Sequence, residues 1–122
     1  MIGYVTVGTN NLQRAAVFYD ALFAELGAER GMVAERYIAW ATSASGPAFM
    51  AITPHDGKPA TVGNGMMISL QASSKEQVDR VYRKAMSLGA RDEGPAGPRG
   101  DNFYGGYFRD LDGNKLCVFL MF

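Results

Sequence analysis

One histidine, one cysteine and one tryptophan among 122 residues exclude several chemistries at once. Cys117 has no partner with which to close an internal disulfide, which fits a reducing compartment and points to the cytoplasm. His55 has no second histidine to pair with, and no zinc spacing, Ser-His-Asp set or Gly-rich phosphate loop accompanies it. Charge of neither sign prevails: Lys+Arg and Asp+Glu are 12 each. Nothing therefore argues for nucleic acid or an anionic membrane as partner, since either would need a basic patch. No apolar run approaches the roughly 20 residues of a membrane span. The opening Met1-Ile-Gly-Tyr-Val-Thr-Val7 has no basic region ahead of an apolar stretch, so no signal peptide is expected.

What is present suits one domain with a core that needs no staples: 48% apolar residues, 20% charged, and seven methionines. Methionine is adaptable and polarizable, and serves both cores and pockets.

Ile2 to Val7 is β-branched and alternating, a strand that Gly8 ends. Thr9-Asn-Asn11 offers helix caps. Leu12, Ala15, Ala16, Tyr19, Leu22, Phe23 and Leu26 then recur at three- and four-residue spacing, one buried stripe of an amphipathic helix that Gly27 stops. Strands are expected at about 28–34, 36–42 and 47–53. Pro54 to Gly65 has no periodicity and reads as a linker.

The second half repeats the first. Met67-Ile-Ser-Leu70 reads as a strand, and Ser73 with Glu76, or Ser74 with Gln77, spells a capping box. Val78, Val81, Tyr82, Ala85 and Leu88 form the next stripe, stopped by Gly89. Leu26-Gly-Ala28 recurs as Leu88-Gly-Ala90, an offset of 88 − 26 = 62. Gly94-Pro-Ala-Gly-Pro-Arg-Gly100 reads as a loop, and two apolar runs, Phe103 to Arg109 and Lys115 to Met121, flank the turn Asp110-Leu-Asp-Gly-Asn114. The pattern is an internal duplication of βαβββ type: modules at about 1–53 and 64–122, joined by 54–63 within the single domain 1–122. Strand alternation puts Val5, Val7, Ile68, Leu70, Leu116 and Val118 beneath the helices. The opposite parity holds Tyr4, Thr6, Met50, Ile52, Met67, Ser69, Cys117 and Phe119.

Arg109-Asp-Leu-Asp-Gly-Asn114, the opening strand with Gly8-Thr-Asn-Asn-Leu-Gln-Arg14, Phe18-Tyr19 in the first helix, Asp56-Gly-Lys-Pro-Ala-Thr61 and the Leu88-Gly-Ala90 stop together resemble the vicinal oxygen chelate superfamily, which includes glyoxalases, bleomycin-resistance proteins and extradiol dioxygenases. The resemblance implies an α+β fold of two βαβββ modules around an open, barrel-like cup. It also implies a homodimer and, in many members, a divalent metal held by His, Gln and Glu on the first and last strand of each module. Carried over, those four positions are Tyr4, Met50, Met67 and Cys117. None is an imidazole, amide or carboxylate, so no metal and no other cofactor is expected.

The expectation is a metal-free member binding a small, largely apolar molecule, with Tyr4, Thr6, Met50, Ile52, Met67, Ser69, Tyr104, Cys117 and Phe119 lining its pocket. The same residues could instead simply fill the cup. A glyoxalase-like lyase or isomerase, related to lactoylglutathione lyase but with a divergent site, is the alternative, and no catalytic residue can be assigned to it. His55 reads as an exposed loop residue. Cys117 reads as a buried, inert thiol rather than a nucleophile or, with Met50 and Met67, a Cu(I) ligand. Arg99 and Arg109 are candidate anion contacts, Arg109 alternatively pairing with Asp110 or Asp112.

Overall fold

The computed structural model describes all residues from 1 to 122. The chain divides into two units, Met1–Val62 and Gly63–Phe122, each with the strand–helix–three-strand order expected.

The first unit comprises β1 (Tyr4–Gly8), α1 (Leu12–Ala24), β2 (Glu29–Val33), β3 (Tyr37–Ala41) and β4 (Ala48–Ile52). Its sheet runs β1-β4-β3-β2, with β1 parallel to β4. Asn11 caps α1 by accepting from the Arg14 amide at 3.0 Å, satisfying one of the donors that a helix start leaves open. At the other end Gly27 adopts φ 73°, and the Ala28 amide turns back to the Phe23 carbonyl at 2.9 Å. Alternation in the strands aims Trp40 and Phe49 at α1, where Tyr19 and Phe23 meet them with ring centroids 4.7 to 5.8 Å apart. Each of these four side chains, burying almost its whole surface, contributes on the order of 2–3 kcal/mol. Asp20 ties helix to sheet: it accepts from Arg30 at 2.9 and 2.7 Å and from the Trp40 indole at 2.8 Å. The Arg30 hydrogen bonds, ahead of the Trp40 one, hold its carboxyl below the usual range.

The expected linker begins as a strap over the first unit. Asn10 holds Ala60 with both side-chain atoms, accepting from its amide at 2.7 Å and donating to its carbonyl at 3.3 Å. Gly8 makes this possible, because a Cβ there would lie 3.0 Å from that of Ala60.

The second unit comprises β5 (Ile68–Gln71), α2 (Lys75–Ser87), β6 (Arg91–Pro98), β7 (Phe103–Arg109) and β8 (Lys115–Met121), in sheet order β5-β8-β7-β6. Of the two capping boxes the sequence allows, the one built on Ser74 and Gln77 forms: Ser74 accepts from the Gln77 amide at 3.0 Å. The Gln77 side chain reaches one residue further back, to the Ser73 amide at 2.7 Å. Val78, Val81, Tyr82 and Ala85 of α2 are buried, as are Phe108, Leu116 and Val118, whose strand register puts them on one sheet face. Tyr82 donates to Asp92 at 2.7 Å. Gly106 leaves room for the Tyr82 ring, since a Cβ there would stand 3.1 Å from it and 3.2 Å from the Ala96 backbone.

One expectation is corrected here. Most of the Gly- and Pro-rich stretch 94–100 is not loop but strand, the end of β6. Its prolines are tolerated because β6 is the sheet edge, where a missing N–H breaks no inner ladder, and its register shifts twice, between Asp92 and Gly94 and between Gly94 and Gly97. The β7–β8 turn forms as read. Asp110 accepts from the Asp112 and Asn114 amides at 2.9 and 2.8 Å, and Gly113 takes φ 90°.

Candidate functional site

In each sheet one face packs on a helix and the other carries none, and the chemistry-bearing side chains lie on the helix-free faces. In the first unit this face presents Tyr4 and Thr6 of β1, Met50 and Ile52 of β4, and Tyr37 and Ala39 of β3. The register pairs Thr6 with Met50, Met50 with Ala39, and Ile52 with Tyr37. Tyr4 is 64% exposed, Thr6 is exposed, and Met50 and Ile52 are half-buried. The Tyr37 hydroxyl donates to the Met32 sulfur at 3.3 Å, adding a second thioether to the surroundings. Sequence reading missed Tyr37, although two-residue alternation through Ile38 and Trp40, both on the helix side, would have placed it.

In the second unit Met67, 42% exposed, lies just ahead of β5. Ser69, Cys117 and Tyr107 stand side by side across β5, β8 and β7. Two residues along β8, Phe119 stacks on Phe103 with ring centroids 5.4 Å apart and planes 2° from parallel. Seven of the nine expected pocket residues therefore occupy helix-free faces, Tyr4, Thr6, Met50 and Ile52 in the first unit and Ser69, Cys117 and Phe119 in the second, while Met67 is exposed just before β5.

Tyr104 does not occupy such a face. It pairs with Leu120, opposite in parity to Tyr107, and its hydroxyl donates to Asp79 of α2 at 2.8 Å. That bond, first among the causes, raises the Tyr104 pKa. Tyr104 is a helix-side residue and Tyr107 is the tyrosine of the open face.

Cys117 is 1% exposed despite its position. Burial pushes its thiol up, against the opposing influence of hydrogen bonds with Tyr107 and Ser69 and of the charges of Arg99 and Lys115. A thiol protonated at neutral pH is a poor nucleophile, which agrees with the inert reading. Burial likewise, and chiefly, raises the pKa of Tyr107. His55 is exposed, and its Nδ1 accepts from Arg36 at 3.0 Å. Arg109 pairs with neither Asp110 nor Asp112; it donates to Glu93 at 2.7 Å and to the Gly113 carbonyl at 3.1 Å.

The positions at which a metal would be expected carry a phenol, two thioethers and a buried, protonated thiol. Nowhere do three His, Cys, Asp or Glu side chains converge in a way that could hold an ion. Nickel, zinc and manganese need imidazole or anionic oxygen in exchange for water. These residues do not fit such an ion.

A family model described as the Glyoxalase/Bleomycin resistance protein/Dioxygenase superfamily matches residues 1–118. A glyoxalase/bleomycin resistance protein from Albidiferax ferrireducens, of solved structure, is 36% identical, with 98% of each chain covered and a TM-score of 0.91. Lactoylglutathione lyase from Agrobacterium tumefaciens is 19% identical over 98% of this chain and 92% of its own, with a TM-score of 0.72. A glyoxalase/bleomycin resistance protein/dioxygenase family enzyme from Burkholderia phytofirmans is 14% identical over 98% of each chain, with a TM-score of 0.77. At those identities the last two show the shared fold alone. No curated protein matches the chain.

Proposed function

The chain belongs to the glyoxalase/bleomycin resistance protein/dioxygenase superfamily, and from that premise we propose that it binds a small, largely apolar molecule on a helix-free sheet face without a divalent metal. The observation that carries the reading is the side-chain chemistry where the family places metal ligands. Tyr4, Met50 and Met67 present polarizable apolar surface, and Cys117 lies buried beside the hydroxyls of Ser69 and Tyr107. Apolar walls with a few hydrogen-bonding points are the usual make-up of a small-molecule site. Sequestration needs no general base.

Two further parts of the proposal are a homodimer, two-fold pairs being the commonest oligomers, and a cytoplasmic location, for which a single free cysteine is suited. No helix is long and apolar enough to cross a membrane. Light scattering should give twice the 13.2 kDa chain mass.

The binding test is a thermal-shift series with a neutral aromatic probe, N-phenyl-1-naphthylamine, alongside elemental analysis of the purified protein. A ligand specific to the native state raises the melting temperature by mass action. The expected result is a shift in the parent and in His55→Ala, and none in Met67→Glu, with less than a tenth of an equivalent of Ni, Zn or Mn, a threshold chosen against the one-to-one loading a functional site requires. Stoichiometric metal, lost on changing Cys117, together with turnover of a hemithioacetal, would overturn the proposal in favour of a glyoxalase-like lyase.

A further inference from the structure

The row Ser69–Cys117–Tyr107 continues into β6 at Gly94, which pairs with Tyr107. Gly94 has no side chain, and its place is taken from elsewhere. Arg99, beyond the end of β6, folds back so that its Nη2 lies 3.3 Å from where a Gly94 Cβ would be, and its Nη1 lies 3.4 Å from the corresponding point at Gly97. The guanidinium is fixed by donating to the carbonyl oxygens of Pro95 at 2.7 Å and Pro98 at 3.2 Å. Its Cζ stands 5.6 Å from the centre of the Tyr107 ring, and Lys115 Nζ stands 6.0 Å from the same centre.

The carboxylates near this row are engaged by other partners, and Lys115 lies close enough to Glu93 to lower its pKa. Glu93 is occupied by Arg109 at 2.7 Å and Arg91 at 3.6 Å, and Asp92 accepts from Tyr82 on the helix side. Arg99 is thus an exposed cation held by neutral carbonyl oxygens rather than by a carboxylate. Two carbonyls and a ring face restrain its fork, so little side-chain entropy remains to be lost on binding. A guanidinium so placed against the Tyr107 ring keeps N–H donors beyond those given to Pro95 and Pro98, and these can receive an oxyanion through charge-assisted hydrogen bonds.

We infer that Arg99, with Lys115, Tyr107 and Ser69, forms an anion subsite on the helix-free face of the second sheet. The ligand is accordingly an amphipathic organic acid, whose carboxylate or comparable oxyanion is taken by Arg99 while its apolar body lies toward Met67 and the Phe103–Phe119 stack. The inference rests on the binding reading above and narrows it to a ligand class. Gly94 itself takes φ 151°, a backbone conformation that favours glycine, and its missing side chain leaves the guanidinium room to approach.

The experiment uses two fluorescent probes that differ by a single sulfonate, 8-anilinonaphthalene-1-sulfonate and N-phenyl-1-naphthylamine, titrated into the full chain. The parent should bind the sulfonate at least about tenfold more tightly, the factor that about 1.4 kcal/mol represents. Arg99→Gln should bring the ratio to about one with the amine's affinity unchanged, since only the charge-assisted bonds are removed. Arg83→Gln, which removes the same charge from the exposed side of α2, should leave the ratio intact. Equal binding of both probes to the parent, or a ratio that survives Arg99→Gln or falls equally in Arg83→Gln, overturns the subsite while leaving an apolar ligand tenable. Binding of neither probe overturns the binding reading, and the subsite with it.

Discussion

Gly106→Ala and Gly31→Ala are the same chemical change, and the structure predicts a loss of stability for the first and none for the second. At Gly106 a Cβ would lie 3.1 Å from Tyr82 Cδ1, 3.2 Å from Ala96 Cα and 3.3 Å from Ala96 N. Two of the three obstacles are backbone, so no side-chain rotation relieves them. Overpacking of this kind costs about 1–3 kcal/mol. Against it stands the gain of about 0.4–1 kcal/mol from restricting the unfolded chain. The net expectation is a loss of about 1–2 kcal/mol, or roughly 4–8 °C in melting temperature for a chain of this size. Gly31, in exposed β2, has an ordinary φ and nothing within 4 Å of its notional Cβ. There only the unfolded-state gain remains, and stability should hold or rise by up to about 1 kcal/mol. Urea unfolding followed by far-ultraviolet circular dichroism, which reports on both units, reads both variants, with midpoints compared at unchanged slope. An unshifted midpoint for Gly106→Ala, or an equal fall for both variants, would show that β7 and β6 yield locally and that the close approach is not what excludes a side chain.

Three further outcomes are expected. Asn11→Ala removes the cap of α1 and should cost about 1 kcal/mol in the same urea assay. Asp20→Asn should flatten the acid limb of stability: the folded carboxyl titrates below its ordinary value, mainly through Arg30, so its contribution is complete above the unfolded pKa and is lost as pH falls through the folded one. Tyr82→Phe tests the alkaline side by thermal melts against pH. Burial, then Asp92, pushes the Tyr82 phenol up to about 12, so stability that is complete below its ordinary pKa of 10.0 is lost between there and about 12, and the phenylalanine variant should lack that decline.

The two helices were legible because their stripes, caps and glycine stops agree with one another, and each signal is local. The repeated Leu-Gly-Ala marks the two positive-φ stops, Gly27 and Gly89. The face assignments of β1, β4, β5 and β8 followed from alternation for the same reason. Two failures have a common origin in missing side chains. Gly105-Gly106 interrupts β7 at its centre and erases the alternation that would show Tyr104 and Tyr107 to lie on opposite faces; the choice fell to Asp79, a partner 25 residues away. The glycines and prolines of β6 suppressed its strand signal, since an edge strand needs only half its backbone groups paired. The Arg99 subsite was beyond pattern reading altogether. It depends on a side chain returning over a strand to a place left by a glycine, and no periodicity encodes that.

The parallel pairing of first and last strand gives synthesis a rule. In the first unit β1 meets β4 with Tyr4 opposite Ala48, a separation of 48 − 4 = 44 residues. In the second, Ile68 meets Leu116, a separation of 116 − 68 = 48. Neither ladder can be closed until its final strand has been made, whatever its helix has already done. A nascent chain halted after Gln71 and before Lys115 would leave β5 without its β8 partner while the earlier ladder had all its strands. Such long-range closure is slow in comparison with helix formation, because the entropy of the loop is lost before the pairing is gained. The order of translation thereby becomes an order of completion. The hazard of incomplete synthesis falls on the half that carries Arg99, Tyr107 and Cys117.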